Sequence, residues 1–421
     1  MRTLKTILLA GLVTTAGCKW TDFDDLESQT WVSTTTKPNK QSTDFGIALA
    51  PLATTSGGKL AVFANGEPQY LELGYAPNGD SDVSLTVLLS ALSSVQTLDI
   101  QPIVLTDPST GPTGGEVALI APAAGGGVSV LHGAGGLTLH QVGGIGEVAA
   151  ATYLTPPPTT PPATGTPAPL IAAGTSVYGS YYGSNLVAPC KLVDDDGAEV
   201  TIFGVAATPG TSGDDVLVWG TTGTSGQSEL LVYPGGIFNG DSGLAAPDDK
   251  CGAAVPAKPL AGRTTTIDDF EPGIGSQIVM VDATHALLVG HGDLTAGNGY
   301  LALFDVSAAP AREGDPQTLP GLRTATLLDL DGDTYVVAGY PSDTVDGVGG
   351  AGHVFVYPLS LDTGVSATAA MELADAQPED DQMFGRAVAV TRFNGQPVIA
   401  VAADNELFFY FRTTLYDETR Q

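Results

Sequence analysis

Short apolar runs recur along the chain, separated by Gly, Pro, Thr and Asp. That pattern predicts many short β-strands. No long stretch carries apolar residues at helical spacing, so helices are not expected. The runs are also ordered. An aromatic or aliphatic residue is followed by Gly and an alternating strand. A turn comes next, then a strongly apolar strand ending in a Gly or Pro turn. A further strand of the V-x-V-aromatic kind follows.

This unit repeats, and the fold is read from the repeat. The clearest copy is FGRAVAVTRFNGQPVIAVAADNELFFYF, from Phe384. GLRTATLLDLDGDTYVVAGYP, from Gly321, precedes it. Further copies begin FGVAATPG at Phe203 and IGSQIVMVDATHALLVG at Ile274. Weaker ones begin FGIALAPL at Phe45 and IGEVAAATYL at Ile145, and the weakest lies near Gln101. The result is about seven units, starting near 45, 101, 145, 203, 274, 322 and 384.

Phe45-Gly46, Phe203-Gly204 and Phe384-Gly385 resemble the Phe-Gly signature of the FG-GAP repeat, found in integrin-α-type β-propellers. Ala121-Pro122 and Gly339-Tyr340-Pro341 partly match its later Gly-Ala-Pro signature. The resemblance implies an all-β, seven-bladed propeller with four-stranded blades. Physics favours the same answer. A four-stranded sheet cannot bury both faces alone, whereas sheets stacked around an axis can. The last copy has only about three strands, so QTWVSTTT, 29–36, is expected to supply the missing outer strand and close the ring. A β-sandwich array is the alternative fold.

The chain has 421 residues, within reach of one large all-β domain. Its 43% hydrophobic content argues against disorder. The net charge of −30, from 16 basic and 46 acidic residues, would repel a polyanion, so nucleic acid is not an expected partner.

MRTLKTILLAGLVTTAGC opens the chain: two basic residues, a short apolar core, then small residues before Cys18. The core is too short to span a bilayer as a stable helix. The segment resembles a bacterial lipoprotein signal peptide, 1–17, whose lipobox would leave Cys18 lipidated. Thr15 stands where Leu is usual, and a plain secretory signal is the alternative. Lipidation at Cys18, including an N-acyl chain such as palmitate, would anchor the chain in the outer membrane. Residues 18–42 then form the lipidated N-terminus, an acidic tether and the ring-closing strand, and 43–421 the propeller. In an exported chain Cys190 and Cys251 are left as an even pair. A disulfide between them would span 61 residues (251 minus 190) and contribute roughly 4 kcal/mol. Two free thiols are the other reading.

Candidate chemistry is sparse. Asp329, Asp331 and Asp333 alternate in LLDLDGDTYVV, like the start of a calcium loop. Oxygen ligands at alternate positions can wrap a hard cation. No Gly or late acid follows Asp333, so the segment reads as a degenerate calcium loop serving as an acidic turn, with weak calcium binding as the alternative. The five histidines lie outside known metal spacings and read as surface or turn residues, His291 included. No nucleophile elbow or P-loop occurs. Tyr178, Tyr181 and Tyr182, in VYGSYYGS, offer a stacking surface for sugar or protein, with ordinary strand residues as the alternative. The Pro/Thr run at 155–169 reads as an exposed spacer. The expected function is a lipid-anchored, non-catalytic module binding an envelope protein or glycan. A hydrolase or lyase on an envelope polymer, and a structural surface-coat component, are the alternatives.

Overall fold

The structure, a computed structural model, describes residues 31–33, 43–52, 59–65, 67–75, 83–89, 103–106, 117–122, 128–132, 138–142, 148–154, 168–179, 190–194, 198–209, 215–223, 227–233, 264–273, 275–291, 298–375, 377–393, 396–404 and 406–411. Every regular element among them is a strand. The first, β1 (Trp31–Ser33), stands apart in sequence. Sheet one follows with β2 (Thr43–Leu52), β3 (Lys59–Asn65), β4 (Glu67–Tyr75) and β5 (Val83–Leu89). Sheet two holds β6 (Ile103–Thr106), β7 (Val117–Pro122), β8 (Val128–His132) and β9 (Thr138–Val142). Sheet three holds β10 (Val148–Leu154), β11 (Ala168–Ala173), β12 (Ser176–Gly179) and β13 (Cys190–Lys191). Sheet four holds β14 (Val200–Thr208), β15 (Asp215–Thr222), β16 (Gln227–Tyr233) and β17 (Thr264–Thr266). Sheet five holds β18 (Gln277–Met280), β19 (His285–Gly290), β20 (Asn298–Asp305) and β21 (Ala311–Pro320). Sheet six holds β22 (Thr324–Leu330), β23 (Asp333–Tyr340), β24 (His353–Ser360), β25 (Gly364–Val365) and β26 (Met371–Leu373), which also pairs β24. Sheet seven holds β27 (Ala387–Phe393), β28 (Gln396–Ala403) and β29 (Glu406–Phe411), and β1 joins it on the far side of β29.

Each sheet is an antiparallel meander in chain order, apart from the last. There Trp31, Val32 and Ser33 pair with Phe409, Phe408 and Leu407, so the chain's first described strand completes its last sheet. Neighbouring sheets meet through their first strands: β6 with β10, β10 with β14, β14 with β18, β22 with β27, and β27 with β2. The first strands are therefore innermost, and sheet seven packs back onto sheet one. The arrangement is all-β and propeller-like.

The second strands explain why the sheets stack. Their side chains alternate between two faces, and both faces are apolar. In β23, Tyr335 and Val337 enter the core shared with sheet seven. Val336, Ala338 and Tyr340 enter the core shared with sheet five. In β28, Ile399 and Val401 face sheet six, whereas Val398, Ala400 and Ala402 face sheet one. In β15, Val216 and Val218 face sheet three, and Leu217 and Trp219 face sheet five. A strand buried on both faces reads as a continuous apolar run, which is what "YVVAGY" and "VIAVAA" are. Each fully buried Val or Leu contributes roughly 1.5–3 kcal/mol.

The Phe-Gly pairs are not equivalent. Phe45 and Phe384 are fully buried, and Gly46 and Gly385 follow at φ of 80° and 87°. Phe203 is only half-buried, and Gly204 lies within β14 at a register shift.

Candidate functional site

The meanders give each sheet two ends. At one end lie the turns between first and second strands, where the Asp329–Asp333 segment falls. Leu330 pairs with Asp333, which leaves Asp331-Gly332 as a two-residue turn with φ of 54° and 88°. Positive φ at both positions suits a tight hairpin turn. Asp329 accepts a hydrogen bond from Thr334 Oγ1 at 3.0 Å. Among the described residues, no group of three or more His, Cys, Asp or Glu side chains is placed to hold a metal. The corresponding turn of sheet five is tied by Asp282, whose Oδ1 accepts backbone N–H bonds from Thr284 and His285, each at 2.7 Å. Partial burial works to raise the Asp282 carboxyl, but these hydrogen bonds together hold it below the usual range.

The opposite end carries more built structure. Two loops, 341–352 of sheet six and 377–386 before sheet seven, are sewn together by backbone hydrogen bonds. Asp381 N–H donates to Gly349 O (3.0 Å), Met383 N–H to Gly350 O (2.8 Å) and Phe384 N–H to Ala351 O (2.8 Å). Asp346, Asp381 and Met383 hold φ between 52° and 57°. Side chains rarely adopt this region unless their surroundings over-determine it, and such residues concentrate at binding surfaces. Met383 is 44% exposed, so the paired loops form a rigid pad with an apolar point. Beneath the pad the Tyr340 and Tyr357 hydroxyls meet at 3.1 Å in a buried pair. His353 Nε2 lies 3.3 Å from Glu372 Oε1 and its Nδ1 lies 3.9 Å from Asp343 Oδ2. Burial raises the Asp343 carboxyl, and His353 offsets part of that.

At this end, in sheets five and seven, the residue before the inner strand meets the residue after the second strand. In sheet seven these are Arg386 and Asp404, an ion pair at 3.5 Å. In sheet five they are Ser276 and His291, where the His291 backbone N–H donates to Ser276 Oγ at 3.2 Å. In sheet six they are Arg323 and Pro341. Arg323 is half-buried, and burial with neighbouring Arg386 pushes its guanidinium down. His291 is 3% exposed, not the surface or turn residue its Gly-flanked sequence suggested, because it closes β19 against Gly273 and Ser276. Among the described residues, neither of its ring nitrogens has a hydrogen-bond partner. Burial, with a contribution from Arg323, pushes its imidazole down to about 3.

The fold is shared with known structures. No family model matches the chain, and no curated protein matches it. It is similar over 91% of its length to 96% of a chain from a humanized mutant of the Chaetomium thermophilum Polycomb Repressive Complex 2, at 10% identity and a TM-score of 0.53. A chain of the crystal structure of the Chaetomium thermophilum complex itself gives 91%, 96%, 10% and 0.52. A chain of Kuenenia stuttgartiensis hydrazine synthase is covered over 99%, by 90% of this chain, at 10% identity and a TM-score of 0.50. The Polycomb chains are propeller-like. At 10% identity the likeness is one of fold alone.

Several residues singled out from sequence lie elsewhere. Cys18, Cys251, Tyr181 and Tyr182 lie outside the described residues. Cys190 begins β13, its backbone paired with Val177, and Tyr178 lies in β12 opposite Ile171. Sequence reading missed Arg323, Arg386 and His291. A signal did exist: Ser276, Arg323 and Arg386 each immediately precede the first strand of their repeat.

Proposed function

We propose that the chain is a seven-bladed β-propeller of the FG-GAP kind, exported, anchored in the outer membrane through a lipidated Cys18, and acting as a non-catalytic module. It would bind a protein or glycan of the cell envelope through the end that carries loops 341–352 and 377–386. The observation that carries this reading is the pad. Two loops from neighbouring sheets are held by paired hydrogen bonds, three non-glycine residues sit at positive φ, and Met383 is presented outward. Such a surface is ordered before any partner arrives, which lowers the entropic cost of binding. Among the described residues, seven sheets, packed in chain order from the second to the seventh with the seventh against the first, support the blade count. The strand β1, only 13 residues beyond Cys18 (31 minus 18), would hold the ring close to the membrane. Cys190 and Cys251 remain proposed partners in a disulfide.

The test is affinity capture from intact envelopes. Met383→Asp puts a charge on the pad without demanding a new backbone, because Asp tolerates positive φ. Leu361→Asp is the control: Leu361 is 42% exposed at the turn after β24, the other end of the sheet. Loss of the captured partner with M383D but not L361D is expected. Equal capture by both would remove the pad from the binding surface. Palmitate labelling that survives Cys18→Ser would remove the anchor.

A further inference from the structure

The two loops of the pad meet again beneath it, at one imidazole. His353 opens β24, opposite Tyr340 of β23. Its Nδ1 lies 3.9 Å from Asp343 Oδ2, and its Nε2 lies 3.3 Å from Glu372 Oε1. Asp343 closes the foot of loop 341–352. Its backbone N–H donates to Tyr340 O at 3.3 Å, and its carbonyl accepts the Gly352 N–H at 3.0 Å. Glu372 sits in β26, opposite Phe355 of β24. Further along the same segment, Asp375 accepts a hydrogen bond from the Gln382 side-chain amide, so this segment holds loop 377–386. One ring therefore stands between two carboxylates, each tied to a different loop of the pad.

The ring is placed to respond to protons. Its side chain is 15% exposed, so solvent reaches it, and Phe355 packs edge-on against it with ring centroids 5.4 Å apart. Histidine is the side chain that ordinarily changes charge between about pH 5 and pH 8. Charged, it has two N–H donors, one for each carboxylate. Neutral, it has one N–H and one lone pair, and in either tautomer the lone pair faces a carboxylate. The double contact therefore exists on the acid side, and half of it is lost as pH rises. The titratable groups around the ring are Asp343 from loop 341–352, Glu372 from β26 and, opposite it in register, Tyr340 from β23. Burial pushes the Tyr340 and Tyr357 hydroxyls up, so both stay neutral in this range. Burial also raises the Asp343 carboxyl, so the window is read from about pH 6 upward, where a carboxylate remains the acceptor.

We propose that His353 is a proton-operated clasp on the pad. Charged, it holds Asp343 and Glu372 at once and fixes loops 341–352 and 377–386 against each other. Neutral, it releases one carboxylate, and the bonds of Asp381, Met383 and Phe384 to Gly349, Gly350 and Ala351 open more often. The docking surface is then most ordered in mildly acidic surroundings and looser at about pH 8. That consequence rests on the reading of the pad as the docking surface, whereas the clasp itself does not.

The experiment is hydrogen–deuterium exchange on the full chain at about pH 6 and about pH 8, at fixed ionic strength, with each rate divided by the intrinsic chemical rate at that pH. Peptides spanning 377–386 are read against peptides from β19 in sheet five. Protection of 377–386 is expected to fall roughly two- to fivefold between the two conditions, the range of one partly exposed ion pair, while β19 does not change. Glu372→Gln and His353→Gln should each abolish that pH dependence. A merely structural role would alter the level of protection and leave its pH dependence in place. Equal protection at both pH values in the unaltered protein overturns the clasp, as does a pH dependence that E372Q keeps. If H353Q does not fold, E372Q decides alone, because the Glu372 side chain is 55% exposed. Envelope capture at the same two pH values separates the clasp from the docking. Shifted exchange with stronger capture at the lower pH supports both. Shifted exchange with no capture at either pH leaves the clasp standing and removes the docking surface.

Discussion

Replacing Gly385 with Ala tests why a Phe-Gly pair stands at the head of the seventh repeat. Phe384 is fully buried and packs edge-on against Phe408, with ring centroids 5.0 Å apart. The chain must then turn at once to enter β27, and Gly385 does so at φ 87°. An Ala there incurs two costs. Holding a Cβ residue at positive φ costs roughly 1–2 kcal/mol. The added Cβ would also lie 2.6 Å from His353 O and 3.0 Å from Val354 Cγ2, so the β24 backbone has to move. Overpacking of that kind costs roughly 1–3 kcal/mol. The expected destabilisation is therefore about 2–5 kcal/mol. Gly332→Ala separates the two contributions, because Gly332 has nearly the same φ, 88°, and nothing within 4 Å of an added Cβ. That variant should lose only the conformational part. Urea unfolding followed by tryptophan fluorescence gives both numbers. If Gly385→Ala costs no more than Gly332→Ala, the close approach of sheets six and seven is not what requires glycine.

Three further outcomes follow from the described geometry. His291 is held neutral, pushed from 6.5 down to about 3, while the unfolded chain takes up its proton near 6.5. Its contribution is therefore complete above pH 6.5 and lost as pH falls toward 3, roughly 3 kcal/mol by pH 4. Arg323, whose charge contributes to that shift, stays charged throughout. His291→Leu should flatten that part of the pH-stability curve in chloride buffer, and identical slopes for the two proteins would contradict a buried neutral imidazole. Tyr340→Phe leaves the buried Tyr357 hydroxyl without its partner at 3.1 Å and should cost about 1–2 kcal/mol. The double Phe variant should recover part of this, read by a double-mutant cycle. Trp219→Ala empties a fully buried site and removes the Nε1–H bond to Ser228 Oγ at 3.1 Å, so a loss of about 3–5 kcal/mol is expected by denaturant titration.

Strand order was legible because it is written in local periodicity. In TYVVAGYP and QPVIAVAA the apolar residues run without alternation, which signals burial on both faces, and neighbouring sheets cover both faces of β23 and β28. The Asp331-Gly332 turn was legible for a similar reason, since two residues at positive φ favour Asp and Gly. Less legible was the difference among the Phe-Gly pairs. Phe203-Gly204 has the same letters as Phe384-Gly385, yet it sits inside β14, where Gly204 faces Ile278 of sheet five, 3.2 Å from an added Cβ. A dipeptide does not reveal whether its glycine makes a turn or clears space for the next sheet.

The axial residues were hidden by sequence distance. Arg323 and Arg386 are 63 positions apart (386 minus 323), and His291 lies a further 32 before Arg323 (323 minus 291). Only a ring that repeats one register brings the residue before each inner strand to the same end. His291 misleads because a His between glycines, in VGHGD, has the composition of an exposed turn. Gly273 and Ser276 bind its backbone, and Gly275 lies against its ring. Comparing equivalent positions between repeats recovers what single motifs do not. Asp404 answers Arg386, and the same comparison puts Pro341 at the position in sheet six that Asp404 holds in sheet seven. The departure from the repeat, rather than the repeat itself, is what distinguishes sheet six from sheet seven at this end.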